Sequence, residues 1–409
     1  MHPKQRHIYI GVDIHKNTHT AVILNCWHEK LAAIEFDNKP AAFPSLMMCV
    51  NKHLGEGLTP VFGLEDVGGN GRTLAVFLVE QQYRVKEINP ALSSLKRKSY
   101  PMTKKNDHWD AECVAKLLLD EWDVLPDAKP QDNYWILSQL VLRRDALAKR
   151  VVVLKNQLHA QLSYHYPSYR TFFSEIDGDA AMMFWETYPC PAVLEGVSET
   201  ELQVELRKHS RSLSNEKAAF ILRCVQADGV VKREYQSEHN FLIRSHVREL
   251  KECQSELTKV DGRIAERMKA FGYKLNTMTG IDNVTAAAFV AEIGDVQRFQ
   301  SADKLAKYAG VAPITFGSGG QSKDLVSKQG NRQLHSLFWS LAIRQVHVSR
   351  TGKATNPVFL AYYLRKQQEG KSKKGALVCI MRRLVNIIYG MMKNKTAYVI
   401  GNVPEKEVA

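Results

Sequence analysis

The chain has 409 residues, 44% of them hydrophobic, and carries 56 Lys and Arg against 43 Asp and Glu, a formal charge of +13. That length supports two or more domains with real cores, and the basic balance favours an acidic polymer as partner. No apolar run of membrane-spanning length and no signal-like start are read in it, and its seven scattered cysteines form no close pair or zinc-like cluster, so membrane, disulfide-framework and zinc classes are set aside and the cytoplasm is expected.

In chain order, residues 1 to about 130 alternate strand-like and helix-like patterns. Strands are predicted near 9–13, 20–25, 30–37, 59–65 and 83–88, and helices over 42–54, 71–82 and 110–122. Three strands, a helix, a fourth strand, a helix and a fifth strand make an α/β layered domain with a mixed sheet. Asp13 ends the first strand, ahead of a turn through His15, Lys16 and Asn17. Glu65 closes the fourth, just before the Gly-rich residues 68–71. Asp66 competes with it, because strand alternation does not say which of the two faces a site. A basic segment follows with Lys96, Arg97, Lys98, Lys104 and Lys105, and then Asp107 and Asp110, whose spacing shares one helix face.

A Pro-containing stretch ends this unit near residue 132. Leu140, Leu147, Leu154 and Leu158 then recur among charges in a long predicted helix, suited to a coiled coil or an ordinary bundle. Residues 165–235 read as helices broken by Pro189 and Pro191. A second long helix carries Ile243, Val247, Leu250, Cys253, Leu257, Val260, Ile264 and Met268 at intervals of three or four. The two long helices pair within the chain or carry dimerisation, and periodicity does not choose. Beyond 275, Gly280 sits in a turn between predicted helices, a place where backbone amides can meet a phosphate. Residues 317–330 are polar, basic and rich in Gly and Ser, and are read as a mobile or sharply turned loop. An amphipathic helix follows with Leu334, Leu337, Phe338 and Leu341 on its apolar face, and two more helices joined by a basic linker complete the chain. The expected domains are 1–132, 133–270 and 271–409.

Asp13, Glu65, Asp107 and Asp110 are the first candidate constellation. Crowded carboxylates repel one another, and divalent ions relieve that while clamping a phosphate. Magnesium, with manganese as a second possibility, suits oxygen ligands. The bland alternative is strongest for Asp107 and Asp110, as capping acids at a helix start. Asp13 is harder to dismiss, since an acid ending an apolar strand requires water, a partner or a metal. The second candidate is Ser318, between Gly317 and Gly319 with Lys323, Lys328 and Arg332 nearby. A serine can hold a phosphodiester as a covalent ester, but it needs activation. Ser322 and Ser327 remain equal contenders on local chemistry. The basic residues are candidate nucleic-acid contacts, with a solvated surface as the alternative. His15 and His19 near Asp13 form no triad, although His15 could orient substrate or a water.

Taken together, YIGVDIHKNTHTAVIL, FGLEDVGGNG and KKNDHWDAECVAKLL in the first half, and TGIDNVTAAAFVAEIGDVQRFQSADKLAKYAGVAP with GSGGQSKDLVSKQGNRQLHSLFWSLA in the second, resemble the transposases of the insertion sequence 110 family, related to the Piv-type DNA invertases. The resemblance covers nearly the whole chain. It implies a RuvC-like, RNase H-like DEDD domain with metal ligands at Asp13, Glu65, Asp107 and Asp110, then coiled-coil-type helices and a mainly helical domain in which Ser318 matches the recombination nucleophile. Gly317 stands where a double-serine form has its first serine. The resemblance further implies donor and target DNA as substrates, a noncoding bridge RNA that pairs with both, and a nucleoid-associated bacterial protein. It also implies dimers assembling into a tetramer, with an active site completed between protomers. Two rivals stand against a serine recombinase: a RuvC-like structure-specific endonuclease using water, and a noncatalytic DNA-binding assembly protein.

Overall fold

The computed structural model describes residues 2–100, 106–130, 132–209, 216–229, 234–312, 314–318, 321–325 and 330–400, with backbone alone for 314–318 and 321–325. Lys104, Lys105, Lys328 and Ser327 therefore lie outside the described residues, as do the side chains of Ser318, Ser322 and Lys323. The chain divides into two compact units, one of residues 1–136 with 294–300, the other of residues 137–293 with 301–409.

The first unit is built on β1 (His7–Ile14), β2 (Thr18–Leu24), β3 (Lys30–Asp37), α1 (Phe43–Lys52), β4 (Thr59–Leu64), α2 (Arg72–Glu80), β5 (Arg84–Glu87), α3 (Pro90–Lys98) and α4 (Asp107–Glu121). The sheet runs in the order β3-β2-β1-β4-β5, with β1, β2 and β3 antiparallel and β4 and β5 parallel to β1. This is the mixed α/β sheet expected of a RuvC-like domain. Alternation in β1 divides its side chains between two layers. Ile8, Ile10 and Val12 join Phe43, Leu46, Leu74 and Leu78 from α1 and α2 on one face, whereas Tyr9 packs with Val114, Leu117 and Leu118 of α4 on the other. Each such fully buried aliphatic side chain is worth about 1.5–3 kcal/mol. The basic segment before Asp107 begins as helix α3, which starts because Asn89 accepts from the Ala91 amide at 2.9 Å and Pro90 takes the first helical position.

In the second unit, α5 (Asn133–His165) and α9 (Gln236–Phe271) are the long helices, and between them lie α6 (Asp179–Thr187), α7 (Glu199–His209) and α8 (Glu216–Asp228). The long helices pair within the chain and run antiparallel, since Arg144 meets Asp261 at 2.7 Å while Arg150, further along α5, meets Glu249, further back along α9. Leu154, Leu158 and Leu162 share one core with Ile243, Val247 and Leu250, and with an aromatic cluster of Tyr166, Phe172, Phe184 and Trp185 from the segment of predicted broken helices after α5. The helices α10 (Asn283–Ile293) and α11 (Ala302–Tyr308) follow, then β6 (Ile314–Ser318) and β7 (Gln321–Leu325), and α12 (Arg332–Val346), α13 (Pro357–Gln368) and α14 (Lys373–Asn394). The region read as a polar loop thus contains a β-hairpin, in which Ser318 pairs with Gln321 and only two residues connect the strands. One expectation needs correction: α14 is long and apolar enough by length and composition to cross a membrane. Half of its apolar window is buried inside the protein, where Ile380, Leu384, Val385 and Ile388 are wholly enclosed.

Candidate metal centre

Two packing relations bring the acids of the first unit to one rim. β1 and β4 are parallel neighbours in the register Val12 to Leu64, so the next residues, Asp13 in the penultimate position of β1 and Glu65 just past β4, stand at the carboxyl ends of neighbouring strands. Ligand sites of parallel sheets form at such ends. Helix α4 supplies the others, and it reaches the strand because Gly11 has no side chain. A Cβ there would stand 2.1 Å from the Ala115 nitrogen and 2.5 Å from the Ala111 oxygen. Backbone packs against backbone, which sets Asp110, one residue before Ala111, at the end of β1.

Neither helix acid is spent on capping. The N-cap is Asn106, whose side chain accepts from the Trp109 amide at 2.8 Å. Asp110 is buried and Asp107 exposed. Glu65 prevails over Asp66 in facing the cluster, because the Asp66 carboxylate accepts from the Asn70 amide at 2.8 Å and lies so close over Gly69 that a Cβ there would meet it at 2.3 Å. Asp66 therefore closes the Gly-rich turn.

His15 Nε2 stands 3.1 Å from Asp13 Oδ2 and 3.5 Å from Asp107 Oδ1, and these three residues can bring ligand atoms within 4.8 Å of one another. Arg97 approaches from α3, with Nη1 at 3.5 Å from Glu65 Oε1 and Nε at 3.8 Å from Asp110 Oδ1. Even so, Asp13 Oδ2, Glu65 Oε1 and Asp110 Oδ1 are buried and make no hydrogen bond. Burial pushes the Asp13 carboxyl above its ordinary range; His15 opposes this, while Asp110, Glu65 and Asp107 add to it. Orphaned carboxylate oxygens are costly, and a cation is the group that would satisfy several at once.

The remaining candidates are dispersed. Lys96 is tied to Asp120 at 2.7 Å, Lys98 is exposed, and Arg332 is exposed in the first turn of α12. His19 is wholly buried edge-on to Phe36, on the sheet face opposite Asp13, so it belongs to the core. At the Gly280 turn the Thr285 amide is already bonded to Asp282 at 2.7 Å, which places a carboxylate where a phosphate was considered. His15 stands closer to the acids than its place in a turn predicts, and Arg97, predicted as a nucleic-acid contact, lies beside Glu65 and Asp110. The signal for Arg97 is its helical register, one position after a lysine anchored on α4.

Two family models match the chain: a DEDD transposase model of the IS110 group over residues 10–167, which contain all four acids, and the model described as Transposase IS116/IS110/IS902 family over residues 272–363, which contain Ser318. The chain belongs to the IS110 transposase family. Full-length relatives agree. The IS900 42 kDa protein of Mycobacterium paratuberculosis is 24% identical over 96% of this chain and 97% of its own length. The IS116 44.8 kDa protein of Streptomyces clavuligerus is 24% identical over 97% and 98%. The pilin gene-inverting protein of Moraxella lacunata is 24% identical over 95% and 97%. As an IS110-family transposase, the protein is an enzyme that cleaves and recombines DNA. Its acids, with His15 beside them, make a donor set suited to a divalent metal.

Proposed function

We propose that this transposase cuts and rejoins DNA through a serine ester, with Asp13, Glu65, Asp107 and Asp110 holding magnesium, for which manganese can substitute. The observation that carries the metal reading is the set of three buried carboxylate oxygens without hydrogen-bond partners, on strands and a helix that converge through Gly11. When bound, the ion would neutralise the nonbridging phosphate oxygens and favour ionisation of the attacking hydroxyl.

Ser318, at the strand end of a tight hairpin within the region matched by the second family model, is the proposed nucleophile. Its Oγ bonds to phosphorus, the bond from phosphorus to the 3′ oxygen breaks, and the 3′ hydroxyl leaves with a proton. The ester retains the phosphodiester bond energy, so the reverse attack by another 3′ hydroxyl seals a new junction. The relative named as a gene-inverting protein supports recombination over simple hydrolysis. Resemblance to the family supports a noncoding bridge RNA paired with donor and target DNA, and dimers assembling into a tetramer. The basic surface, with Arg332 and Lys98 exposed, supports binding of the nucleic-acid backbone.

Incubation with magnesium, a cognate guide RNA and a suicide DNA substrate tests this reading. A covalent adduct mapped to Ser318, absent from Ser318→Ala and reduced at least about a hundredfold in Asp13→Asn, is expected. Magnesium-dependent cleavage that persists in Ser318→Ala would instead establish the water-using endonuclease.

A further inference from the structure

Arg97 is held near the acids without being bonded to them. Its guanidinium nitrogens lie 3.5 Å from Glu65 Oε1 and 3.8 Å from Asp110 Oδ1, both longer than a hydrogen bond, and its side chain is only one-fifth exposed. An arginine that locks two carboxylates permanently makes short, paired contacts of about 2.7–2.9 Å. The tight contact on this helix belongs to its neighbour: Lys96 donates to Asp120 of α4 at 2.7 Å. That bond pins the last turn of α3 to α4 and aims the next residue at the cluster. The structure thus sets two nitrogen-bearing side chains against these acids, His15 at Asp13 and Asp107, and the Arg97 guanidinium at Glu65 and Asp110.

We infer that Arg97 is an internal counter-cation of the carboxylate cluster that a divalent metal must displace, so that this residue sets how tightly the metal is held. The inference rests on the metal reading given above. It makes Arg97 a positioning residue. Without metal, the guanidinium offsets the mutual repulsion of Glu65 and Asp110 and keeps α3 and α4 together. With metal bound, like charges separate, and the side chain leaves the two oxygens for solvent or for the phosphodiester.

Manganese alone, titrated into the full-length metal-free chain with unbound ion read by electron paramagnetic resonance, provides the test. Arg97→Gln is expected to bind manganese about tenfold more tightly than wild type, a coupling of ordinary size between competing ligands. Arg97→Lys, which keeps the charge, should restore most of the wild-type affinity. Unchanged or weaker binding in Arg97→Gln overturns the inference and leaves the metal reading standing. An absence of manganese binding in wild type and Arg97→Gln alike defeats the metal reading, and the inference with it. If Arg97→Gln fails to fold, labelling of wild type with an arginine-directed dicarbonyl reagent and peptide mapping decides. Manganese should raise the rate at Arg97, and an unchanged or lower rate overturns displacement.

Discussion

At the scale of single residues, the cluster trades stability for readiness to bind a cation. Asp13 is nearly enclosed, and one of its oxygens has no hydrogen bond. In metal-free protein, Asp13→Asn removes a buried negative charge from beside three others. It should raise the unfolding midpoint by a few degrees, consistent with about 1 kcal/mol, while abolishing metal binding; scanning fluorimetry with and without manganese checks both. His19 carries a different pH signature. Burial lowers its pKa, so below its unfolded value near 6.5 the unfolded chain gains a proton that the folded chain resists. Stability is then full above about pH 6.5 and falls as pH drops below it. His19→Leu should flatten part of the midpoint loss between pH 7 and pH 5, and an unaltered slope would assign that loss to the other histidines whose pKa is lowered, His7, His159 and His246. Whether Glu65 or Asp66 faces the cluster was not legible in the sequence. β4 is buried on both faces from Pro60 to Leu64, so no polar alternation marks a side.

At the scale of elements, the crossing of α4 over β1 depends on one missing side chain. Gly11→Ala would press its methyl into the Ala111 and Ala115 backbone, where no rotamer can give way. A loss of about 1–3 kcal/mol in denaturant unfolding is expected, together with weakened metal binding, because α4 carries Asp107 and Asp110. Nothing local in IYIGVDI marks this glycine as a contact with a helix one hundred residues later. The start of α4 makes a separable prediction. Asn106→Ala removes the cap and should cost about 1 kcal/mol, whereas Asn106→Ser should retain most of it. Strand and helix patterning located five strands and most helices correctly. It missed α3, a short helix dominated by polar and basic residues whose leucines Leu92 and Leu95 are exposed, and the β6–β7 hairpin, whose Gly and Ser content looks like a loop.

At the scale of the whole molecule, the formal charge of +13 and the DNA-handling family predict strongly salt-dependent binding of nucleic acid. If six to ten phosphates are neutralised, the affinity for duplex DNA should fall by roughly 10³–10⁵ between about 50 and 200 mM salt. Fluorescence anisotropy over that range checks the slope, and a flat response would argue that the basic residues are solvated without touching DNA. The return of residues 294–300 to the first unit, where Asp295 meets Lys129 at 3.3 Å, ties that unit to a late segment of the chain. No motif announces that return. The antiparallel pairing of the two long helices was one of two arrangements that periodicity allowed, and the crossed ion pairs Arg144–Asp261 and Arg150–Glu249 select it.

The sequence by itself determined the family, the mixed sheet and the presence of acids at Asp13, Glu65, Asp107 and Asp110, because strand alternation, helical spacing and ordered motifs are local properties. Tertiary structure alone decided that Gly11 admits α4, that Asp66 closes a turn while Glu65 faces the other acids, and that Arg97 stands between Glu65 and Asp110. Those outcomes depend on register between β1 and β4 and on the distance of closest approach between backbones. Each joins residues far apart in the chain, where a period of two or of 3.6 carries no information.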